Sequence, residues 1–267
     1  MNELPCRRGV LRAAVSAGAG AGILTRPGSA VRTDQSTVEQ TAGATDADWP
    51  MFQHDAHNGG TLSTTGPAEP VEAVWTFETD DGLVAQPVVK DGTVFQVSRD
   101  SRVYAVSAAT GEREWSVGTN QPLVRTPAVA NSIVYVPTQT GRMIALSVGT
   151  GSGQWVNSPG FGSASNVTLT GDGVLVTDIN GDATMLYNLD SSTGQQQWTL
   201  SDDYQDDLQT PVYADGTVLV TSEDTQKTVR RYDYSDQTLR WRADVGGNNG
   251  ASHANPEAGV TYSSYDG

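Results

Sequence analysis

Two short segments of this chain carry side chains that could bind a metal ion. His54 and His57 are three residues apart with Asp55 between them, and imidazole and carboxylate groups at such a spacing can bind Zn²⁺. The chain has only one other histidine, His253, so that a complete set of ligands is hard to assemble. A solvated or capping role is the stronger interpretation of this pair, and no metal site is predicted here.

The second segment is Asp-Ile-Asn-Gly-Asp at residues 178–182, which places oxygen ligands at alternate positions, as calcium loops do. The twelfth position of such a loop would be Leu189 instead of glutamate. Asn180-Gly181 is also a strong signature of a type I′ hairpin turn. The sequence therefore favours a turn, and no calcium ion is predicted.

No other pattern indicates catalysis. We find no Ser-His-Asp arrangement, phosphate-binding glycine loop or spaced pair of carboxylates, and no catalytic residue is predicted. Asn166-Val167-Thr168 is a single N-glycosylation sequon, but it falls where a strand is expected.

The first thirty residues are typical of an export signal. Arg7 and Arg8 precede a weakly apolar run over residues 13–24, and the small residues 28–30 suit a signal peptidase. The paired arginines indicate the twin-arginine route. The apolar run is shorter than the roughly 20 residues of a membrane-spanning helix, so we expect no stable membrane anchor after cleavage. The expected location is extracytoplasmic, either secreted or at the cell surface, and residues 31–48 are expected to form a flexible polar linker.

The chain is strongly acidic. Its 31 acidic and 16 basic residues give a net charge of −15, which repels nucleic acid and anionic lipid. An acidic partner site is one interpretation, and adaptation of the whole surface to high salt is the other. Because the acids are spread along the chain and lysine is scarce, we favour adaptation to salt, a composition similar to that of haloarchaeal proteins.

The strongest signal is an internal repeat. Five tryptophans are separated by 40, 40, 43 and 43 residues: Trp75, Trp115, Trp155, Trp198 and Trp241. Intervals of this size indicate a propeller or a solenoid. Each interval holds four short β-rich runs bounded by turn residues, which predicts an all-β propeller of four-stranded antiparallel blades, about five of them. The expected blades are near 85–117, 125–157, 164–200 and 209–243, with a partial blade at 252–267 and an N-terminal strand at 71–77.

A Thr-Gly dipeptide stands shortly before three of these tryptophans. Gly111, Gly151 and Gly194 each lie four residues before a tryptophan, where glycine permits a tight turn with positive φ. The indole ring that follows can then lie against a neighbouring blade. These three glycines and the five tryptophans are the predicted docking residues. The fourth repeat has Asp236-Gln237 in place of Thr-Gly.

The pattern Ala-x-x-x-x-Thr-Gly-x-x-x-Trp, at 105–115 and 145–155, resembles the tryptophan-docking motif of the pyrroloquinoline-quinone (PQQ) propeller family. Residues 48–55 resemble the segment that opens many of its members, and the resemblance covers residues 48–267. It implies a propeller fold. The motif's usual aspartate is Ser107 and Ser147 in two repeats and returns as Asp190 and Asp233 in the others.

The repeat begins again at Asn255-Pro256 and stops at Gly267, before a third strand. Members of this family usually have seven or eight blades. The expectation is therefore an incomplete propeller, and the alternative is a compact five-blade ring.

Two functional classes compete. The first is an exported, non-catalytic binding or scaffold module, similar to the propeller lipoprotein of the outer-membrane assembly machine. The second is a quinone-dependent dehydrogenase, which the resemblance implies would need vicinal cysteines, calcium and a catalytic aspartate. The only cysteine, Cys6, lies inside the expected signal, so we predict neither PQQ nor calcium as a cofactor and no enzymatic activity. A non-functional remnant is a third hypothesis, and the protein or small-molecule partner is not identified.

Overall fold

A computed structural model describes residues 9–15, 48–60, 72–159, 162–178, 184–202, 208–222 and 228–244. Every regular element in these ranges is a β-strand. Within them no helix is long and apolar enough to cross a membrane.

Four sheets contain four antiparallel strands each, and the strands of each sheet lie in chain order. Blade I consists of β3 (Val88–Lys90), β4 (Thr93–Ser98), β5 (Arg102–Ser107) and β6 (Arg113–Gly118). Blade II consists of β7 (Ala128–Ala130), β8 (Ile133–Pro137), β9 (Met143–Ser147) and β10 (Gly153–Asn157). Blade III consists of β11 (Thr168–Leu169), β12 (Gly173–Thr177), β13 (Thr184–Asp190) and β14 (Gln196–Asp202). Blade IV consists of β15 (Val212–Ala214), β16 (Thr217–Thr221), β17 (Thr228–Asp233) and β18 (Leu239–Asp244).

The first strand of each blade contacts the first strand of the next, from β3 through β7 and β11 to β15. These short strands therefore line the axis, and the fourth strands lie at the periphery. The second strands are buried along almost their whole length, as in β12, because a blade is covered on both faces. The predicted all-β propeller of four-stranded blades is confirmed.

The turns between first and second strands follow from local sequence. Asp91-Gly92 and Asp215-Gly216 each place two consecutive residues at positive φ, the backbone of a type I′ turn. Asn131-Ser132 adopts the same conformation in blade II. The predicted Asn180-Gly181 turn lies outside the described residues.

The hydrophobic core lies between blades. One buried cluster joins Phe95 and Val103 of blade I to Val129 and Val134 of blade II. A second contains Tyr135 of blade II and Tyr187 of blade III, and a third joins blades III and IV. Each blade thus depends on its neighbours for the burial of its apolar side chains.

Two further strands precede blade I. β2 (Glu72–Thr79) lies where the sequence predicts an N-terminal strand. It pairs antiparallel with β1 (Gly9–Val15), which lies in the expected export signal, where the sequence predicts no strand. The expected linker before Asp48 and the expected partial blade at 252–267 lie outside the described residues.

Candidate functional site

The tryptophans of the repeat connect one blade to the next. Three of the indole N–H groups each donate a hydrogen bond to a backbone carbonyl in the turn between the third and fourth strands of the following blade. The three pairs are Trp75 to Ala108 at 2.9 Å, Trp115 to Val148 at 2.7 Å and Trp155 to Ser191 at 3.1 Å. We call each of these arrangements an indole socket.

The floor of each indole socket is a glycine. Gly111, Gly151 and Gly194 have φ values of +74°, +68° and +71°, a region that favours glycine. A Cβ atom on Gly194 would lie 2.4 Å from Cε3 of Trp155, and one on Gly111 would lie 2.6 Å from Cγ of Trp75. The glycine therefore allows the positive φ of the tight turn, and its missing side chain leaves room for the indole ring of the preceding outer strand.

The joint between blades III and IV is built differently. Gln237 occupies the glycine position with a φ of 59°, and its side-chain amide donates to the Tyr234 carbonyl at 3.0 Å. The Tyr234 carbonyl stands at the position of the carbonyl that accepts the indole N–H in the three sockets. Trp198 packs instead edge-on against the Tyr234 ring, with centroids 5.6 Å apart. Trp241, on β18, is 36% exposed, and residues 245–267, which follow β18, lie outside the described residues.

The turns that form these joints differ in their first residue. Oδ1 of Asp190 accepts hydrogen bonds from the backbone N–H and hydroxyl groups of Ser192 and Thr193, at 2.7 to 3.0 Å. The two hydroxyls and the backbone N–H of Thr193 lower the pKa of Asp190 to about 2. In blade I, Oγ of the corresponding Ser107 accepts one longer bond, from the Thr110 N–H at 3.3 Å.

The axis is occupied by the chain's own residues 48–60, which we call the axial segment. Trp49 forms a β-bridge with Val89 of blade I, and the Val129 N–H of blade II donates to the Pro50 carbonyl at 2.7 Å. The Tyr213 N–H of blade IV donates to the Ala56 carbonyl, also at 2.7 Å. The axial segment thus connects the inner strands of blades I, II and IV.

Side chains fix the two ends of the axial segment. The Asp48 carboxylate accepts from Nζ of Lys90 at 2.6 Å and from the Asp91 N–H at 3.0 Å. The Asp48 carboxylate raises the pKa of Lys90. Toward the other end, the Asp55 carboxylate accepts from the backbone N–H groups of His57 and Gly59.

A series of hydrogen bonds links the residues just before the inner strands. The Gln86 N–H donates to Oγ1 of Thr126 at 3.2 Å, and the Thr126 N–H donates to Oδ1 of Asn166 at 2.8 Å. Nδ2 of Asn166 donates in turn to Oγ1 of Thr210 at 3.1 Å. Each blade contributes one of these four residues. The only sequence feature that marks them is the proline that follows Gln86, Thr126 and Thr210. Asn166 is the sequon asparagine, and the structure uses both of its side-chain polar atoms.

Arg125 stands next to this series and was not identified from the sequence. Its Nε is buried without a hydrogen bond inside the described part of the chain. Burial lowers its pKa. A cation that is partly removed from water without a counterion is costly, and an anionic group would offset that cost.

The metal candidates do not form a cluster. His54 lies 3.4 Å from Asp55 and packs edge-on against Trp49, with centroids 5.1 Å apart. Across the described ranges, no three His, Cys, Asp or Glu side chains are arranged to hold a metal ion. Asp178, from the second candidate, is buried and accepts the backbone N–H groups of Gly162 and Ser163. Residues 179–183 and the arginines of the export signal, Arg7 and Arg8, lie outside the described residues.

The sequence matches a family model described as outer membrane protein assembly factor BamB, over residues 53–201 and 158–263. A comparison with curated proteins finds no significant match.

Solved structures with this fold include both of the expected classes. BamB from Moraxella catarrhalis has a TM-score of 0.55 and 18% identity, covering 66% of this chain and 57% of that chain. A europium-containing methanol dehydrogenase has a TM-score of 0.64 and 14% identity, covering 78% and 50%. The quinohemoprotein alcohol dehydrogenase from Comamonas testosteroni has a TM-score of 0.55 and 18% identity, covering 80% and 43%. The chain thus matches between about two fifths and three fifths of the length of these proteins.

The indole sockets predict a difference between two kinds of glycine. Gly194→Ala should destabilise the protein by more than Gly216→Ala, because both have positive φ but a Cβ on Gly216 meets nothing within 4 Å. The Gly216 change should cost about 1–2 kcal/mol from backbone strain alone. Trp155→Ala should cost about 3–5 kcal/mol. Urea unfolding measures all three, and equal losses at both glycines would contradict the socket geometry.

The hydrogen bonds of the Asp190 carboxylate predict that its contribution to the stability of the folded protein depends on pH. Because folding lowers the pKa of Asp190 to about 2, its contribution is present above pH 4 and is lost as pH falls from about 4 to 2. The difference in unfolding midpoint between the wild type and Asp190→Ser should therefore narrow over this range. Ser147→Ala, at the same turn position in blade II, should show a difference that does not change with pH. A constant difference for Asp190→Ser would refute the argument.

Proposed function

Because the chain belongs to the propeller-repeat family described as outer membrane protein assembly factor BamB, we propose that it is an exported, non-catalytic module that binds or scaffolds another protein. The fold is common to binding proteins and dehydrogenases, so the choice between them must come from the site.

The proposal rests on one observation: the axial segment accepts hydrogen bonds from the inner strands. The N–H groups of Val89, Val129 and Tyr213 already donate to carbonyls of residues 48–60. A small ligand at this level of the axis would have to displace these bonds, and unpaired buried N–H groups are costly. This favours recognition of a partner on the outside of the propeller.

The outer strands offer apolar contact surface. Val156 on β10 is 59% exposed and Val74 on β2 is 56% exposed. Leu239, on β18, is 46% exposed. The buried core of a protein interface is enriched in apolar side chains, and these exposed residues could contribute to one.

Arg125 favours the second candidate function, a PQQ-dependent dehydrogenase. PQQ is a tricarboxylate, and a half-buried guanidinium without a counterion in the described part of the chain is a group that would attract a carboxylate. This candidate and the binding module make opposite predictions for the free cofactor.

Titration with PQQ and Ca²⁺ separates the two. We expect the melting temperature of the full chain to stay unchanged, because a ligand that does not bind the native state cannot stabilise it. A rise of several degrees that disappears in Arg125→Gln, but persists in the exposed control Arg142→Gln, would contradict this expectation and favour the dehydrogenase instead.

Cross-linking in the exporting cell tests the binding module directly. A photoreactive residue in place of Val156 should give a discrete adduct with another protein. The same residue in place of Val106, which is fully buried, should give none. If neither position yields an adduct, recognition through the outer strands is wrong.

Export by the twin-arginine route makes a separate prediction. Replacing Arg7 and Arg8 by lysine should leave the precursor inside the cell, because that route reads the arginine pair. Arg12→Lys, outside the pair, is the matched control. Cell fractionation measures both, and normal export of the double variant would remove this assignment.

A further inference from the structure

The strand formed by residues 9–15 has a defined place on the folded protein. β1 pairs antiparallel with β2 along seven consecutive residues, from Gly9 opposite Thr79 to Val15 opposite Glu72, with one irregularity between Ala13 and Ala14. Leu11 stands directly opposite Phe77. One edge of β2 is therefore hydrogen-bonded by a segment more than fifty residues earlier in the chain.

β2 itself is held firmly on blade I. Trp75 occupies the indole socket at Gly111, and the Phe77 ring packs edge-on against Tyr104 with centroids 5.4 Å apart. Leu11 packs against the same buried group, which includes Val94. An isolated two-stranded ribbon is marginal in water, so it is the attachment of β2 to blade I that provides a stable edge for β1.

We propose that the edge of β2 is a strand-acceptor site, and that its occupant is the chain's own segment Gly9–Val15. The edge takes an antiparallel, apolar strand with a large aliphatic side chain at the position opposite Phe77, where Leu11 lies. While the segment is docked, it covers backbone N–H and C=O groups that would otherwise recruit strands of other molecules.

The position of this segment connects the site to export. Arg7 and Arg8 directly precede β1, and the apolar run of the expected signal begins within it, at Ala13. Release of the signal to an export apparatus therefore requires β1 to leave β2. This consequence rests on the proposed export, whereas the acceptor site does not, and no part of it depends on which partner the mature protein binds.

A disulfide cross-link tests the register on the full chain. In a Cys6→Ser background, Leu11→Cys with Phe77→Cys should oxidise readily, because directly opposed residues of antiparallel strands lie within disulfide reach. Leu11→Cys with Glu78→Cys is the matched control, because one step along β2 turns the side chain to the other face of the strand. Oxidation that is several-fold faster for the pair at 11 and 77 supports the proposal, and equal rates overturn it.

Hydrogen exchange provides an independent measurement without new cysteines. Leu11→Asp should increase the exchange rates of the β2 amides at least several-fold and leave β4 and β8 unchanged, because it removes the apolar contact that holds β1. Leu24→Asp makes the same chemical change outside β1 and should leave β2 protected. If the β2 amides exchange equally in the wild type and both variants, β2 has no strand-acceptor site for this segment. A failure here leaves the PQQ titration unaffected, so the two proposals can fail separately.

Discussion

The contact between an indole ring and a glycine without a side chain is the interaction on which this structure depends. It brings an outer strand onto the turn of the next blade, at Trp75, Trp115 and Trp155, and adds a hydrogen bond to a backbone carbonyl of that turn. The apolar core follows from it, because the buried clusters lie between blades and require neighbouring sheets at a fixed separation. A backbone position with positive φ and no Cβ is the only one that satisfies both the turn and the ring.

The architecture could be predicted from the sequence because it repeats. Tryptophans 40 to 43 residues apart, with four β-rich runs in each interval, allow few folds other than a propeller. What the pattern does not contain is the pairing across blades. Gly151 stands four residues before Trp155 in the sequence, yet the ring that covers it is Trp115 of the preceding blade. Such a contact depends on how sheets stack, and a local motif carries no information about that.

The axial features were harder to find for the same reason. Asp48 reaches Lys90 across 42 positions, and Asn58 reaches Pro211 across 153, with no periodic signal to connect them. Residues 48–55 resemble the segment that opens many family members. That resemblance places them in the fold but does not predict their contacts along the axis. Arg125 was overlooked because a single arginine in an acidic chain is ordinary on a surface, and only its burial distinguishes it. No strand is predicted at Gly9–Val15, because the arginine pair, the apolar run and the small residues after it are together typical of an export signal.

Each indole socket has two unlike halves, a ring carried by one repeat and a glycine carried by the next. A stretch of DNA that encodes blade II encodes one half of each kind, Gly151 and Trp155. Unequal recombination could therefore duplicate or delete that blade and leave every remaining joint with a matching partner. Blade IV does not have this freedom, because Gln237 replaces the glycine and its neighbour Tyr234 is matched to Trp198. Changes in blade number in this lineage should accordingly arise at blades I and II, with blades III and IV and the junction between them inherited as a unit.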